Sequence, residues 1–154
     1  MKILILTFTF FYSVILSQNY CDKDFLYENL LYSNNNIDLK EHYNSLTGEY
    51  SFVYCGTKGV QRNINFNVKL TDEEKVKLKE KYIDLKINNK ILCIIVDDNQ
   101  LFSSISITYK HDKQDCASNE DDRQALIAFN SFFLQIMQKK EEYKKALYWK
   151  YIKK

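Results

Sequence analysis

Four cysteines, two histidines and a few paired carboxylates are the residues of this chain whose types could do chemistry. Cys21, Cys55, Cys93 and Cys116 are too widely spaced for a metal knuckle, which needs close pairs such as CxxC with histidines at ligand spacing. The only histidines, His42 and His111, do not supply that spacing, so no metal or cofactor is expected. A cysteine nucleophile would need a free thiol beside a base. An even cysteine count in an exported chain reads instead as two disulfides, for which four cysteines allow three connectivities. The remaining candidate for catalysis is His111 with Asp97, Asp98 or Asp112, a set that could serve a small hydrolase if a pocket joined them. Asp97 and Asp98 are adjacent at a strand end, where neighbouring side chains diverge, and this reads better as a solvated turn. There is no GxSxG, HExxH, EF-hand or P-loop pattern. No catalytic residue is assigned from the sequence.

Composition narrows the classes further. The chain has 154 residues, with 45% hydrophobic, 27% charged and 15% aromatic. That suits one domain, is too apolar for a wholly disordered chain, and carries a net charge of only +2. With no proline and three glycines, collagen-like, Pro-rich and glycine-loop phosphate-binding readings fall away. Seven of the lysines lie in Lys139–Lys154, interleaved with Tyr143, Tyr148, Trp149 and Tyr151. Such a segment could meet an acidic partner or anionic lipid. Lysine without an arginine fork reads better as a solvated helix end, and nucleic acid is not an expected partner.

The first seventeen residues have the layout of a secretory signal peptide. Met1-Lys2 is positive, Ile3 to Leu16 is uncharged, and Ser17 offers a small residue at the cleavage point. The apolar run is short for a membrane span. Residues 18–154 are then a single domain, secreted or periplasmic, with no later span. Gln18, Asn19 and Tyr20 before Cys21 do not resemble a lipobox.

The elements that must position these residues follow from periodicity. Phe25, Leu26 and Leu30, with Glu28 between them, predict a short helix within Cys21–Tyr32, closed by Ser33-Asn34-Asn35-Asn36. Ile37–Leu46 is ambiguous. Glu49–Cys55 alternates as a strand, and Val60–Leu70 alternates more cleanly, with Asn63, Asn65 and Asn67 on its polar face. The amide ladder could recognise a glycan or peptide, although such a row also marks any solvent side of a sheet. Thr71-Asp72-Glu73-Glu74 is a capping box that starts a helix. Ile91–Val96 is apolar and β-branched enough for a central strand, and Ser104–Lys110 alternates as its partner. A long helix from about Glu120 buries Leu126, Phe129, Phe133 and Ile136, and leaves Lys139, Lys140, Lys144 and Lys145 in water.

The expectation is an α+β fold of about four mainly antiparallel strands. A ββαββα core carries an N-terminal helix and a long C-terminal helix packed on the sheet. In that layout Cys93–Cys116 and Cys21–Cys55 are the favoured disulfides.

The Ser-Gln junction, the Asn/Lys/Ile/Tyr bias, the LTDEEK helix start and the Glu141-Glu142-Tyr143-Lys144-Lys145 end together resemble small exported proteins of Bacteroidota type. The resemblance spans most of the chain loosely. It implies export and a small α+β fold, and it assigns no functional residue. The function expected is binding, in the periplasm or outside the cell, to a protein or cell-envelope ligand.

Overall fold

The computed structural model describes residues 23–33, 36–55, 61–96, 101–109 and 114–148. Among the described residues there are seven strands: β1 (Leu26–Ser33), β2 (Asn36–Asn44), β3 (Glu49–Cys55), β4 (Gln61–Asn67), β5 (Lys90–Val96), β6 (Leu101–Thr108) and β7 (Asp115–Cys116). Three helices accompany them there: α1 (Asp72–Asp84), α2 (Glu120–Met137) and α3 (Glu141–Ala146). The strands form one sheet in the order β4-β3-β2-β1-β6-β5-β7, antiparallel except where β7 runs parallel to β5. The expectation of about four strands, an N-terminal helix and one long C-terminal helix is therefore wrong on three counts.

The N-terminal helix is the first. Its residues form β1, the middle strand of the sheet, paired with β2 on one side and β6 on the other. Phe25 and Tyr27 point into the core. Leu26, Glu28, Leu30 and Tyr32 alternate with them on the opposite face and are half-buried. A middle strand is apolar on both sides, and its apolar residues then fit a helical period as readily as a strand period. Pairing on both edges decides the matter. The ambiguous segment is β2, in which Asp38 is the extra residue of a bulge between Leu31↔Leu39 and Tyr32↔Ile37. Ile91–Val96, expected to be central, is instead next to the sheet edge, and Ile94 is 40% exposed.

The C-terminal helix stops at Met137 and restarts at Glu141. The Lys139 and Lys140 amides donate to Ile136 and Met137 three residues back, which tightens the last turn, and Lys140 is extended. Lys140 is not in open water as expected, because its ammonium contacts Glu74 Oε2 at 2.6 Å. The break lets α3 turn Tyr143 against Tyr50 and Phe66, with ring centroids 5.4 and 6.1 Å away. Leu126, Phe129, Phe133 and Ile136 are buried as expected, and Lys139, Lys144 and Lys145 are exposed.

Other local signals match. Thr71 caps α1 by accepting from the Glu74 amide at 3.2 Å, and Glu74 accepts from the Thr71 amide at 2.8 Å. Burial opposes the Glu74 charge, but the Lys140 ammonium and the Thr71 amide hold its carboxyl pKa below the ordinary value. Gly48 turns β2 into β3 at φ +79°, where a Cβ would meet Asn67 Oδ1 at 2.9 Å. The core is aromatic: Phe25, Tyr27, Tyr43, Tyr50, Phe52, Phe129, Phe133 and Tyr143 are all fully buried on the helix-bearing side of the sheet.

Cys93 and Cys116 are bonded, with Cα atoms 5.6 Å apart. The route differs from the one inferred. Cys93 faces Ser104 on β6, whereas Cys116 reaches it from the other flank, on β7. A loop of that length restricts the unfolded chain by about 3 kcal/mol in the chain-entropy account. The bridge fixes a two-residue strand that is otherwise held by few bonds, among them Ala117 N to Ile91 O at 2.8 Å.

Candidate functional site

Two polar constellations come from the strands. The first is buried. Glu41 lies on the inward row of β2 between Leu39 and Tyr43 and is 2% exposed. It accepts from Asn29 Nδ2 at 3.0 Å, and the Tyr27 hydroxyl lies 3.3 Å from it. The same hydroxyl is 2.7 Å from Asn130 Oδ1 on α2. A phenol has one proton to give, so the shorter contact takes it. Burial pushes the Tyr27 phenol well above its ordinary value, and the Glu41 charge adds to this. Tyr50 beside it is raised in the same way, first by burial and then by Glu41. These phenols stay neutral. The cluster pins β1, β2 and α2 together, and the carboxylate is almost wholly enclosed.

The second constellation is accessible. The helices all pack on one side, so among the described residues the other side of the sheet carries no covering element. Strand register lines up its side chains in rows. One row reads Asn65, Ser51, His42, Glu28, Ser106 across β4, β3, β2, β1 and β6. The next reads Asn63, Val53, Lys40, Leu30, Ser104, Cys93. At the centre, His42 Nδ1 is 3.4 Å from Glu28 Oε1. The Glu28 carboxyl is held below its ordinary value of 4.5, chiefly by the hydrogen bond from His42, with half-burial opposing.

That depression sets a pH dependence. A carboxyl with a lowered folded value contributes stability above about pH 4.5, and the contribution is lost as pH falls through the folded value. Glu28→Gln should therefore lower stability at pH 6, by under about 1 kcal/mol because the side chain is substantially exposed. At a pH low enough to protonate Glu28 in the folded protein, the two should unfold at the same urea concentration. An equal gap at both pH values would mean that the His42 contact is not its source.

The residues singled out from the sequence are distributed unevenly. Cys93 and Cys116 are joined; Cys55, half-buried at the end of β3, is a free thiol among the described residues. Cys21, proposed as its partner, lies outside the described residues, as do His111, Asp97, Asp98 and Asp112. The hydrolase set therefore lies wholly outside the described residues. Among the described residues no three His, Cys, Asp or Glu side chains are grouped to hold a metal ion, and no helix is long and apolar enough to cross a membrane. Sequence reading passed over His42–Glu28 and Glu41 because it placed Glu28 in a helix and left β2 unassigned. The available signal was the inward row Leu39, Glu41, Tyr43, in which a carboxylate breaks an apolar alternation.

No protein-family model, curated protein or solved structure matches this chain.

Proposed function

We propose that the chain is an exported, disulfide-bonded domain that works by binding, and that its helix-free sheet face takes a neutral, hydroxyl-rich ligand of the cell envelope, a glycan. The observation that carries this is the make-up of that face. Three strands, β4, β3 and β6, present amides and hydroxyls in register, from Asn63, Asn65, Ser51, Ser106 and Thr108, around the His42–Glu28 pair and Lys40 carried by β2 and β1 between them. Such groups both donate and accept, which suits sugar hydroxyls. Half-buried Leu26, Leu30 and Val53 between them offer apolar surface for the C–H face of a ring. The signal-like N-terminus, the Cys93–Cys116 bond and the resemblance to small exported proteins support the export half of the reading.

Two measurements test it. Mass spectrometry of material from outside the cytoplasm should find a chain starting at Gln18; intact Met1 there would refute export by signal cleavage. Neutral soluble N-acetylglucosamine oligomers titrated into 15N-labelled protein should shift the amides of Ser51, His42, Glu28 and Ser106. Ser51→Lys with Ser106→Lys should weaken that binding at least about tenfold, a loss of about 1.4 kcal/mol, at unchanged melting temperature. Oligomers that bind elsewhere, or bind the double variant equally well, would overturn the assignment of the face.

A further inference from the structure

We infer that β4 is a self-pairing edge, and that two copies of the chain join antiparallel through it into one continuous sheet. β4 ends the strand order, so among the described residues nothing pairs with its outer side. Edges of this length are ordinarily blunted by proline, a bulge, charge or cover. β4 has seven residues, no proline, unbroken register with β3, and Arg62 as its only charged side chain.

The direction of its free backbone groups can be read from the β3 side. Val68 N donates to Gly48 O at 2.8 Å across the same ladder. In an antiparallel pair the hydrogen-bonded positions alternate, so Arg62, Ile64 and Phe66 spend their backbone groups on β3. Gln61, Asn63, Asn65 and Asn67 then point theirs outward. A two-fold axis at Ile64 pairs Gln61 with Asn67 of the second copy and Asn63 with Asn65. This register uses all four outward residues of each copy, giving about eight ladder bonds.

Side chains agree with the same register. On the helix-free face it sets Asn63 against Asn65, and an amide is its own complement, while Gln61 lies opposite Asn67, whose Nδ2 already donates to Thr47 O at 3.1 Å. On the other face Ile64 meets Ile64, and Arg62 meets Phe66, a pairing that a guanidinium and an aromatic face favour. The two Arg62 side chains stand four residues apart along the strands, roughly 13 Å, which exceeds the screening length of about 8 Å at physiological salt. Moving the axis to Asn63 brings the two arginines to two residues' separation, and moving it to Gln61–Asn63 puts them face to face. β7, at the other end of the sheet, is only two residues long and offers no such edge.

Sedimentation of the purified oxidised protein should show a monomer–dimer equilibrium. Asn63→Lys with Asn65→Lys sets like charges opposite each other across the axis and should yield monomer, as should Asn63→Glu with Asn65→Glu. Mixing these two variants should restore dimer, because each lysine then faces a glutamate. In the unmodified protein, amide exchange at Gln61, Asn63, Asn65 and Asn67 should slow as concentration rises, while Ile64 and Phe66 amides stay unchanged. A monomer up to about 1 mM, a dimer that persists in the lysine variant, or outward amides whose exchange ignores concentration would each overturn the inference. The exchange measurement needs no substitution, so it decides the matter even if a variant fails to fold.

Discussion

Phe133→Ala should cost about 3–5 kcal/mol, a large fraction of what holds a domain of this size folded. Phe133 is fully buried on α2, where it packs on β1 and β2. Its ring lies 4.4 Å from Tyr27, 5.6 Å from Tyr43 and 5.9 Å from Phe25, all centroid to centroid. Those partners come from β1, β2 and the residue leading into β1. None can collapse into the vacated space without leaving its strand, so the cavity term is added to the lost transfer energy. Aromatic pairs of this geometry contribute about 0.5–1.5 kcal/mol each beyond area, which places the expected value in the upper half of the range. The comparison is a variant with Lys139, Lys144 and Lys145 changed to Gln; these three are exposed, and the change should stay within about 1 kcal/mol. Urea unfolding of both variants checks the contrast, and a tolerant Phe133 beside a damaging lysine set would mean that the buried face of α2 is misplaced.

Lys75→Met should cost a similar amount, about 3–5 kcal/mol, by a different mechanism. Lys75 Nζ sits 2.6 Å from Asp24 Oδ1, and the Asp24 side chain is only 3% exposed. Removing the ammonium leaves a buried carboxylate with one long contact, the Ser45 hydroxyl at 3.5 Å. The Ser45 oxygen also accepts from the Phe25 amide at 2.7 Å, which fixes where the hydroxyl sits. The pair ties α1 to the start of β1, so its loss exposes the entry to the middle strand. Adding Asp24→Asn should return much of the stability, because an amide leaves no uncompensated charge behind. If the double variant were as unstable as the single one, the cost would come from packing by the lysine stem and not from the stranded charge.

The legible parts of the fold were those whose signal is complete within a few residues. Thr71 and Glu74 carry both halves of a capping box, and α1 begins where they say. Asn63, Asn65 and Asn67 alternate against Ile64 and Phe66 because β4 has one wet face and one dry one. Phe129 and Phe133 sit one helical turn apart, and both are buried. β1 was illegible for the opposite reason. Leu26, Glu28 and Leu30 have neighbours on both strand edges, and those neighbours include Thr108, Ser106 and Ser104, far along the sequence. Nothing local distinguishes such a strand from a helix with a broad apolar face. The error propagated to the site: with Glu28 placed on a helix, the His42–Glu28 pair could not be seen, and the open face had no middle. The α2–α3 break was hidden because neither proline nor glycine marks it, and the contact made at the restart, Lys140 with Glu74, is distant in sequence.

The position of β1 also shapes how the chain can acquire its structure. β1 to β4 follow one another as neighbours in both sequence and sheet, so each pairing closes only a short loop. The other edge of β1 has to wait for β6, whose Thr108 pairs with Leu26 only after α1 and β5 have been placed between them. Until then the half-formed sheet presents the bare backbone of its own middle strand. That edge is flanked by Leu26, Tyr27, Leu30 and Leu31, a more adhesive surface than β4 ever shows in the finished protein. The slow closure of one long-range pair, and not the stability of the final sheet, then sets how long the chain is vulnerable to aggregation.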